Sequence, residues 1–221
     1  MKLVQNFLTK NDCYKSGRKI TVKGLMLHSV GCSQPNASVF VKNWNRSGLE
    51  ACVHGFIDGN TGTVYQTLPW NHRGWHAGTG TSGGSANNTH IAFEICEDDL
   101  TDEDYFRKVY QEAVELTAML CKTYNLNPLA DGVVICHSEG HQRGIASNHG
   151  DVMHWFPKFN KSMDTFRSDV AKAMGGASNG DSGGSTGKEI VKGSTVRVKQ
   201  GAKDYNGNSL ASFVYLSLIH I

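Results

Sequence analysis

The segment Val22-Lys23-Gly24-Leu25-Met26-Leu27-His28-Ser29-Val30-Gly31 places a short apolar run directly before a histidine, a serine and a glycine. A run of four to eight apolar residues bounded by turn-forming residues is typical of a buried β-strand. The same order occurs at Val133-Val134-Ile135-Cys136-His137. We therefore predict two buried strands, each ending in a histidine where the chain opens to solvent, a position from which rigid scaffolds present functional groups.

Further apolar runs predict strands at residues 53–57, 64–67 and 91–95. Asp58-Gly59-Asn60-Thr61-Gly62, between the first two of these, is a strong signal for a hairpin turn.

Apolar residues at helical spacing predict a long helix over residues 103–124, with Thr101 as a capping residue. Shorter helices are predicted over residues 37–46 and 164–173, the latter capped at or near Ser162. Because strands and helices alternate, the sequence indicates an α/β fold.

The chain has 221 residues, of which 39% are hydrophobic, and this is enough for one well-packed domain and a small second one. Its 22 basic and 20 acidic residues are mixed along the chain without a basic run, so no nucleic-acid partner is expected. The first 17 residues lack the features of a secretory signal peptide, and no apolar run approaches the roughly 20 residues of a membrane span. We expect a monomer with no signal peptide and no membrane insertion.

The composition changes at Gly175, where a stretch rich in glycine and serine begins. We predict a domain over residues 1–174, a linker over 175–190 and a partial small module over 191–221. Within the module, strands are predicted over 194–199 and from residue 211 onward, whereas residues 216–221 resemble an abrupt ending more than a completed strand. Two strands alone do not make an independent domain.

Six cysteines occur without a CxxC pair, so we expect reduced thiols and no zinc ribbon. Cys136 precedes His137 and is the alternative candidate for a metal ligand. Side chains alternate along a strand, however, which directs Cys136 to the opposite face and favours a packing role.

Two histidines at matching strand ends favour metal binding over a purely structural role, since neutral imidazole is a common zinc ligand. The third ligand is open, because the segment 147–154 offers His149, Asp151 and His154, and spacing does not choose among them.

His137 and His141 have the i, i+4 spacing of two zinc ligands on one helix. Gly140 and Gly144 disfavour a helix there, so His141 is expected in a loop.

Glu94 lies in the otherwise apolar strand Ile91-Ala92-Phe93-Glu94-Ile95-Cys96, where an unpaired charge is costly. The carboxylate therefore needs either a salt-bridge partner or a chemical task. A three-ligand zinc site with an open position, beside a carboxylate acid/base, suits hydrolysis, because zinc polarises carbonyls and lowers the pKa of bound water toward about 7.

Five motifs occur in the order and context of the type 2 N-acetylmuramoyl-L-alanine amidases. They are LMLHSVG around His28, CVHGFIDGNTGTVYQ around His54, GWHAG around His76, NNTHIAFEICED around Glu94 and VICHSEGH around His137. The chain resembles this family, which includes many phage endolysins and the peptidoglycan recognition proteins, over roughly residues 23–170. The resemblance implies a central mixed β-sheet flanked by helices, with a groove over a zinc ion.

The resemblance implies that Zn²⁺ is held by His28, His137 and Asp151. Asp151 begins the segment DVMHWFP, which resembles the family segment that starts with the ligand aspartate. The two residues that follow it differ from the usual proline and glycine, and the gap from His137 is longer than usual. His154 therefore remains the alternative third ligand.

Catalytic roles are also implied for two residues. Glu94 would orient or deprotonate the zinc-bound water and pass the proton to the leaving amine. His149 stands where the family often has a lysine that stabilises the oxyanion, a role that an imidazole N–H can fill, and the alternative is a solvent-exposed loop histidine. Substrate contacts are implied for His54, Trp75, His76 and Asn88.

The implied function is zinc-dependent hydrolysis of the amide between N-acetylmuramic acid and L-alanine in bacterial peptidoglycan. Residues 191–215 resemble the opening of SH3-like cell-wall-binding modules. We expect a phage or prophage endolysin that is made in the cytoplasm, is released through a holin-made membrane lesion and acts on the cell wall. A bacterial autolysin exported by another route is the alternative. The alternatives are a non-catalytic peptidoglycan-binding module and a metallopeptidase that cuts within the stem peptide.

Overall fold

Six strands form the sheet of the N-terminal unit in a computed structural model that describes residues 1–175, 195–197 and 218–220. The sheet strands are β1 (Lys2–Gln5), β2 (Gly24–Ser33), β3 (Gly55–Ile57), β4 (Thr63–Gln66), β5 (His90–Glu97) and β6 (Val134–Cys136). Their spatial order is β1-β4-β3-β5-β2-β6, and the β3–β4 hairpin is the antiparallel pair. The other neighbours are parallel, so the sheet is mixed, as expected.

The helices are α1 (Asp12–Ser16), α2 (Ala37–Trp44), α3 (Glu103–Thr123), α4 (His137–Gln142) and α5 (Met163–Ala173). Short 3₁₀ turns occupy Ala86–Asn88 and Phe156–Phe159. The apolar side of α3 packs with α5 and the sheet in the largest buried cluster, to which Leu27, Phe93 and Cys136 contribute. The packing role predicted for Cys136 is confirmed, and all six cysteines are free.

The strand register places three functional positions side by side. His28 on β2 is opposite Glu94 on β5, and Leu27 is opposite Cys136 on β6. His137 directly follows the last residue of β6 and therefore lies next to His28. Because these three strands are parallel, their carboxyl ends form one edge of the sheet, where α/β proteins bind ligands.

The prediction of a loop at His141 is wrong, because α4 runs through it. Gly140 is tolerated in the helix because it is buried where no side chain fits: a Cβ there would lie 2.5 Å from Met26 Cε. The helix start is held by Glu139, whose carboxylate accepts a hydrogen bond from Cys136 N at 3.2 Å.

The two longer helices differ in how well their starts were predicted. Ser162 caps α5 as expected, accepting a hydrogen bond from Thr165 N. The cap of α3 is Asp102 and not Thr101, because Asp102 accepts from the first free backbone N–H groups of the helix while the Thr101 hydroxyl donates to Asp99. No prediction covered β1 or α1, which are short and gain most of their stability from tertiary packing.

The chain divides into two units, Met1–Ser178 and Asn179–Ile221. In the second unit, β7 (Thr195–Arg197) and β8 (Leu218–His220) pair antiparallel, with Val196 opposite Ile219. The abrupt ending predicted for residues 216–221 is wrong at β8, because a strand needs only a pairing partner, which β7 supplies. The linker and the strand predicted from residue 211 lie outside the described residues. Among the described helices, none combines the length and the apolar character needed to cross a bilayer.

Candidate metal centre and its cleft

A cleft of about 310 Å³ opens at the carboxyl ends of β2, β5 and β6. Its lining consists of His28, Ser29, Trp44, Glu50, Ala51, Val53, Trp75, His76, Gly78, Glu94, His137, Ser147, His149 and Asp151. Of the nine residues predicted for the site, seven line this cleft, and His54 and Asn88 do not.

His28, His137 and Asp151 bring three donor atoms together in the cleft. His28 Nδ1 lies 3.0 Å from Asp151 Oδ2 and 3.1 Å from His137 Nδ1, and the third edge, from His137 Nδ1 to Asp151 Oδ2, is 3.8 Å. In a tetrahedral zinc site the ligand atoms are about 3.4 Å apart, given bonds of about 2.0–2.1 Å. The triangle therefore has the size that zinc requires.

The outer ring nitrogens of both histidines also have partners. His28 Nε2 is 3.0 Å from His76 Nδ1, and His137 Nε2 is 3.3 Å from the hydroxyl of Ser147. When the outer nitrogen of an imidazole donates its proton outward, the inner nitrogen is left with a lone pair for a metal. Both inner Nδ1 atoms then present lone pairs to the same point, an arrangement that suits a bound cation.

Electrostatics in the cluster distinguish the two histidines. Burial opposes a charge on His28, but the hydrogen bond to Asp151 and the nearby Glu94 carboxylate outweigh it and raise the pKa of His28. Burial, together with the positive charge on His28, lowers the pKa of His137 to about 4. For Asp151, burial is outweighed by its hydrogen bond to His28, which lowers the pKa of the carboxyl. Without metal, His137 is therefore neutral near pH 7, whereas the hydrogen bond between His28 and Asp151 favours the charged form of both partners.

Glu94 faces the same cleft from the neighbouring strand. Its Oε2 atom is buried and has no hydrogen-bond partner among the described residues. Burial raises the pKa of the Glu94 carboxyl to about 7, with Asp151 and Glu97 adding to the rise and His28 opposing it. Such a carboxyl can both accept and release a proton near neutral pH. The salt bridge considered as its alternative role is absent from the described residues.

The segment after α4 contains the three candidates for the third ligand, and one of them contributes a donor atom to the triangle. Asp151 points into the cluster, whereas His154 Nε2 lies 3.0 Å from Glu97 Oε1, at hydrogen-bond distance. Glu97 is buried and also accepts a hydrogen bond from Gly31 N. His154 is therefore bound to a second carboxylate and is not one of the three donors, which argues against it as the alternative ligand.

His149 is exposed at the rim of the cleft. Its ring centroid lies 4.6 Å from that of His137, and its Nδ1 is 3.1 Å from the Ser147 hydroxyl. The side chain is thus close to the three donor atoms without being one of them, and it can contact a group bound there.

The structure separates the four residues predicted to contact substrate. Trp75, 40% exposed, and His76 line the cleft. His54 is fully buried, with Nε2 bonded to the carbonyl of His72 and Nδ1 accepting from Ala92 N. Because both of its nitrogens are occupied by backbone, His54 fastens neighbouring segments and has no group left for substrate.

Asn88 is exposed outside the cleft, where its Oδ1 accepts a hydrogen bond from Arg73 Nε. The residue that faces inward is Asn87, which is buried and accepts from the backbone N–H groups of His76 and Ala77 at 2.7 and 2.9 Å. The 3₁₀ turn of Ala86–Asn88 directs the first asparagine inward and the second outward. In the sequence, the two adjacent asparagines carry no local signal that shows which one faces inward.

The donor set fits a zinc ion on three observations: the size of the triangle, the convergent lone pairs of two imidazoles beside a carboxylate, and the unpaired buried oxygen of Glu94. Together with the mixed sheet, this site defines the class of α/β proteins with a candidate metal centre, whose donor set suits metal-assisted hydrolysis.

Sequence comparison identifies the family within that class. The profile of the N-acetylmuramoyl-L-alanine amidases (Amidase_2) matches residues 17–154, more than half of the chain. The chain belongs to this family, and the resemblance noted from its motifs is confirmed.

Two curated relatives come from Bacillus subtilis (strain 168). The chain is 36% identical to N-acetylmuramoyl-L-alanine amidase CwlH over 107 residues, which cover 48% of this chain and 39% of CwlH. It is 29% identical to N-acetylmuramoyl-L-alanine amidase XlyA over 132 residues, which cover 58% of this chain and 41% of XlyA. The chain therefore spans less than half the length of these relatives.

Solved structures share the fold. The catalytic domain of XlyA has a TM-score of 0.59 at 23% identity, covering 77% of this chain and 99% of that one. Staphylococcus aureus hydrolase AmiA, in complex with its ligand, has a TM-score of 0.61 at 20% identity, covering 80% and 87%. The expected central mixed sheet flanked by helices is confirmed.

Proposed function

We propose that this protein is a zinc-dependent amidase that hydrolyses the bond between N-acetylmuramic acid and L-alanine in peptidoglycan. The observation that carries the proposal is the donor triangle of His28, His137 and Asp151 with the unpaired Glu94 carboxylate beside it. Membership of the amidase family and the names of the curated relatives support the choice of bond.

Zinc held by these three residues would supply a Lewis acid that polarises the amide carbonyl. Glu94 accepts a proton from the attacking water at its free Oε2 and later gives it to the leaving amine of L-alanine. A pKa near 7 lets this carboxyl perform both transfers at neutral pH.

His149 acts from the rim of the cleft. Its ring donates an N–H to the carbonyl oxygen as negative charge develops there, which lowers the barrier because the donor is already in place. Its position 4.6 Å from the ring of His137 supports this assignment.

The remaining walls of the cleft bind the rest of the substrate. Trp75 is exposed on one wall and Trp44 contributes a second aromatic surface, which suits the apolar faces of sugar rings and short peptide side chains.

We further propose that the protein works on the bacterial cell wall as an endolysin of a phage or prophage, with the segment 191–221 as an SH3-like wall-binding module. Apart from β7 and β8, that segment lies outside the described residues, and the module rests on the sequence resemblance alone.

The test is digestion of purified peptidoglycan, followed by identification of the new amino terminus. We expect newly exposed N-terminal L-alanine, loss of activity on chelation and recovery with added zinc. A new amine within the stem peptide would instead indicate a metallopeptidase. Binding to the wall without any released amine, with zinc supplied, would indicate a non-catalytic module.

A further inference from the structure

A second histidine lies behind the metal ligand His28. His76 Nδ1 is 3.0 Å from His28 Nε2, and the two rings meet edge to face with centroids 5.1 Å apart. For His28 to offer the lone pair of Nδ1 to a metal, its proton must reside on Nε2. His76 Nδ1 is the acceptor that the described residues provide for that proton.

The backbone of His76 is held from both sides. Its own N–H and that of Ala77 donate to the buried side chain of Asn87. On one side, Trp75 and Cys52 exchange backbone hydrogen bonds of 2.8 Å in both directions. On the other, Ser147 N donates to the carbonyl of Ala77 at 2.8 Å. The acceptor atom is therefore placed by the fold and does not depend on a bound ligand.

The second nitrogen of His76 supports the same assignment of protons. If Nδ1 accepts from His28, the proton of His76 resides on Nε2, and this atom is buried without a partner among the described residues. A buried donor without a hydrogen-bond partner costs free energy. We attribute the retention of this histidine to the hydrogen bond that its Nδ1 accepts.

We propose that His76 is a positioning residue of the metal site: its Nδ1 accepts the Nε2–H of His28 and so fixes the tautomer and ring angle at which His28 faces the metal. Ligating histidines usually donate to a carboxylate or a carbonyl. Here a second imidazole, held by Asn87, takes that place. The inference rests on the metal binding in the proposed function and replaces the substrate contact expected for His76.

The test compares His76→Leu with His76→Asn. Leucine fills much of the volume but accepts no hydrogen bond, whereas asparagine can place an oxygen near the position of Nδ1. Zinc affinity is measured by competition with a chromophoric chelator. We expect a 10- to 100-fold weaker affinity in His76→Leu, the usual effect of losing a hydrogen-bond partner behind a ligand, and a return to within about threefold of the wild type in His76→Asn.

The matched control is His90→Leu, which removes another buried histidine, one that is bonded to the carbonyl of Gly132. We expect this variant to lose thermal stability and to keep its zinc affinity. Equal loss of affinity in His90→Leu and His76→Leu would overturn the proposal, because a general loosening of the fold would then explain both. Wild-type affinity in His76→Leu, or no recovery in His76→Asn, would also overturn it.

A measurement on the unmodified protein covers the case in which His76→Leu does not fold. Long-range ¹H–¹⁵N spectra of the zinc-loaded protein should show His28 and His76 each protonated at Nε2. A proton on Nδ1 of His76 would overturn the proposal. A wild type that binds zinc and does not cleave peptidoglycan contradicts the proposed activity but leaves this inference standing, whereas a wild type that binds no zinc removes both.

Discussion

His28 and Glu94 occupy directly opposed positions on the parallel strands β2 and β5. Side chains at opposed positions project from the same face of a sheet, so this register places a candidate metal ligand next to the carboxylate. At this position burial raises the pKa of the Glu94 carboxyl, and its Oε2 has no hydrogen-bond partner among the described residues. Strand register therefore places the carboxylate that we propose as the proton-transfer group beside the candidate metal site.

Replacing the carboxylate should separate catalysis from metal binding. We expect Glu94→Gln to lower kcat by about 10²- to 10⁴-fold, the usual contribution of a general acid/base, with zinc content unchanged. The checks are hydrolysis rates on soluble muropeptides and metal analysis of the purified variant. Glu50→Gln, an exposed carboxylate of the same cleft, is the control and should keep kcat within a few-fold. A variant that loses its zinc together with its activity would contradict the assigned role.

The same substitution should stabilise the metal-free protein at high pH. The pKa of Glu94 is about 7 in the folded state and near 4.5 when unfolded, so the unfolded state loses this proton first as pH rises. The stability cost is absent below about pH 4.5 and complete above about pH 7. We expect Glu94→Gln to raise the free energy of unfolding by roughly 3 kcal/mol at pH 8, measured by urea unfolding with chelator, and by little at pH 4.5. An equal gain in the free energy of unfolding at both pH values would indicate that the variant is stabilised by better packing and not by loss of the charge.

The identity of the third ligand can be tested with two alanine variants. Asp151→Ala should lose zinc, because one corner of the donor triangle disappears. His154→Ala should keep zinc and lose only the hydrogen bond with Glu97. Zinc stoichiometry measured by atomic emission decides between them. If His154→Ala alone loses the metal, the assignment of Asp151 is incorrect.

His149 should affect the rate more than binding. We expect His149→Ala to lower kcat by about 10- to 10³-fold with a smaller change in KM, since its hydrogen bond strengthens as charge develops on the oxygen. His149→Lys restores a donor at this position and should recover most of the rate. Steady-state kinetics on a soluble muropeptide provide the measurement, and full activity in His149→Ala would contradict a catalytic role.

Buried His54 should make the fold sensitive to acid. Burial lowers its pKa to about 4, with the hydrogen bond to the carbonyl of His72 opposing the shift. An unfolded histidine titrates near 6.5, so below that pH the unfolded state binds more protons and stability falls until about pH 4. Between pH 7.5 and 5, His54 should account for about 2 kcal/mol of lost stability.

His54→Asn can still accept from Ala92 N but does not titrate. In chelator, the drop in unfolding free energy between pH 7.5 and 5 should be smaller in this variant by about that amount, whatever its absolute stability. An unchanged drop would show that other groups carry the acid sensitivity.

Much of the fold could be predicted from the sequence because the signals are local. The apolar runs before His28 and His137 mark buried strands, and the helical spacing over residues 103–124 marks α3. These patterns arise from burial on one or both faces of a single element, which the order of residues records directly. The start of α3 at residue 103 is confirmed, whereas the predicted cap was displaced by one residue because Thr101 and Asp102 are both capable caps.

The short elements could not be predicted in this way. Helix α4 contains Gly140, and it is held by packing against Met26 and by the ion pair of Glu139 with Arg167, both contacts with distant segments. Strands β1 and β8 exist because partners elsewhere in the chain pair with them. Such elements depend on tertiary contacts more than on local preference.

The sequence by itself determined the α/β class, the two strand-end histidines and the presence of a carboxylate in an apolar strand. Tertiary structure decided the use of each polar residue around them. His149, Asp151 and His154 lie within six residues of one another, and only the burial of Val152 and Trp155 and the pairing of His154 with Glu97 turn Asp151 toward the ligands. Likewise, His54 and His76 both precede small residues in histidine motifs, yet one bonds to backbone and the other to His28. The direction of a side chain depends on contacts between distant segments, and the order of residues does not contain those contacts explicitly.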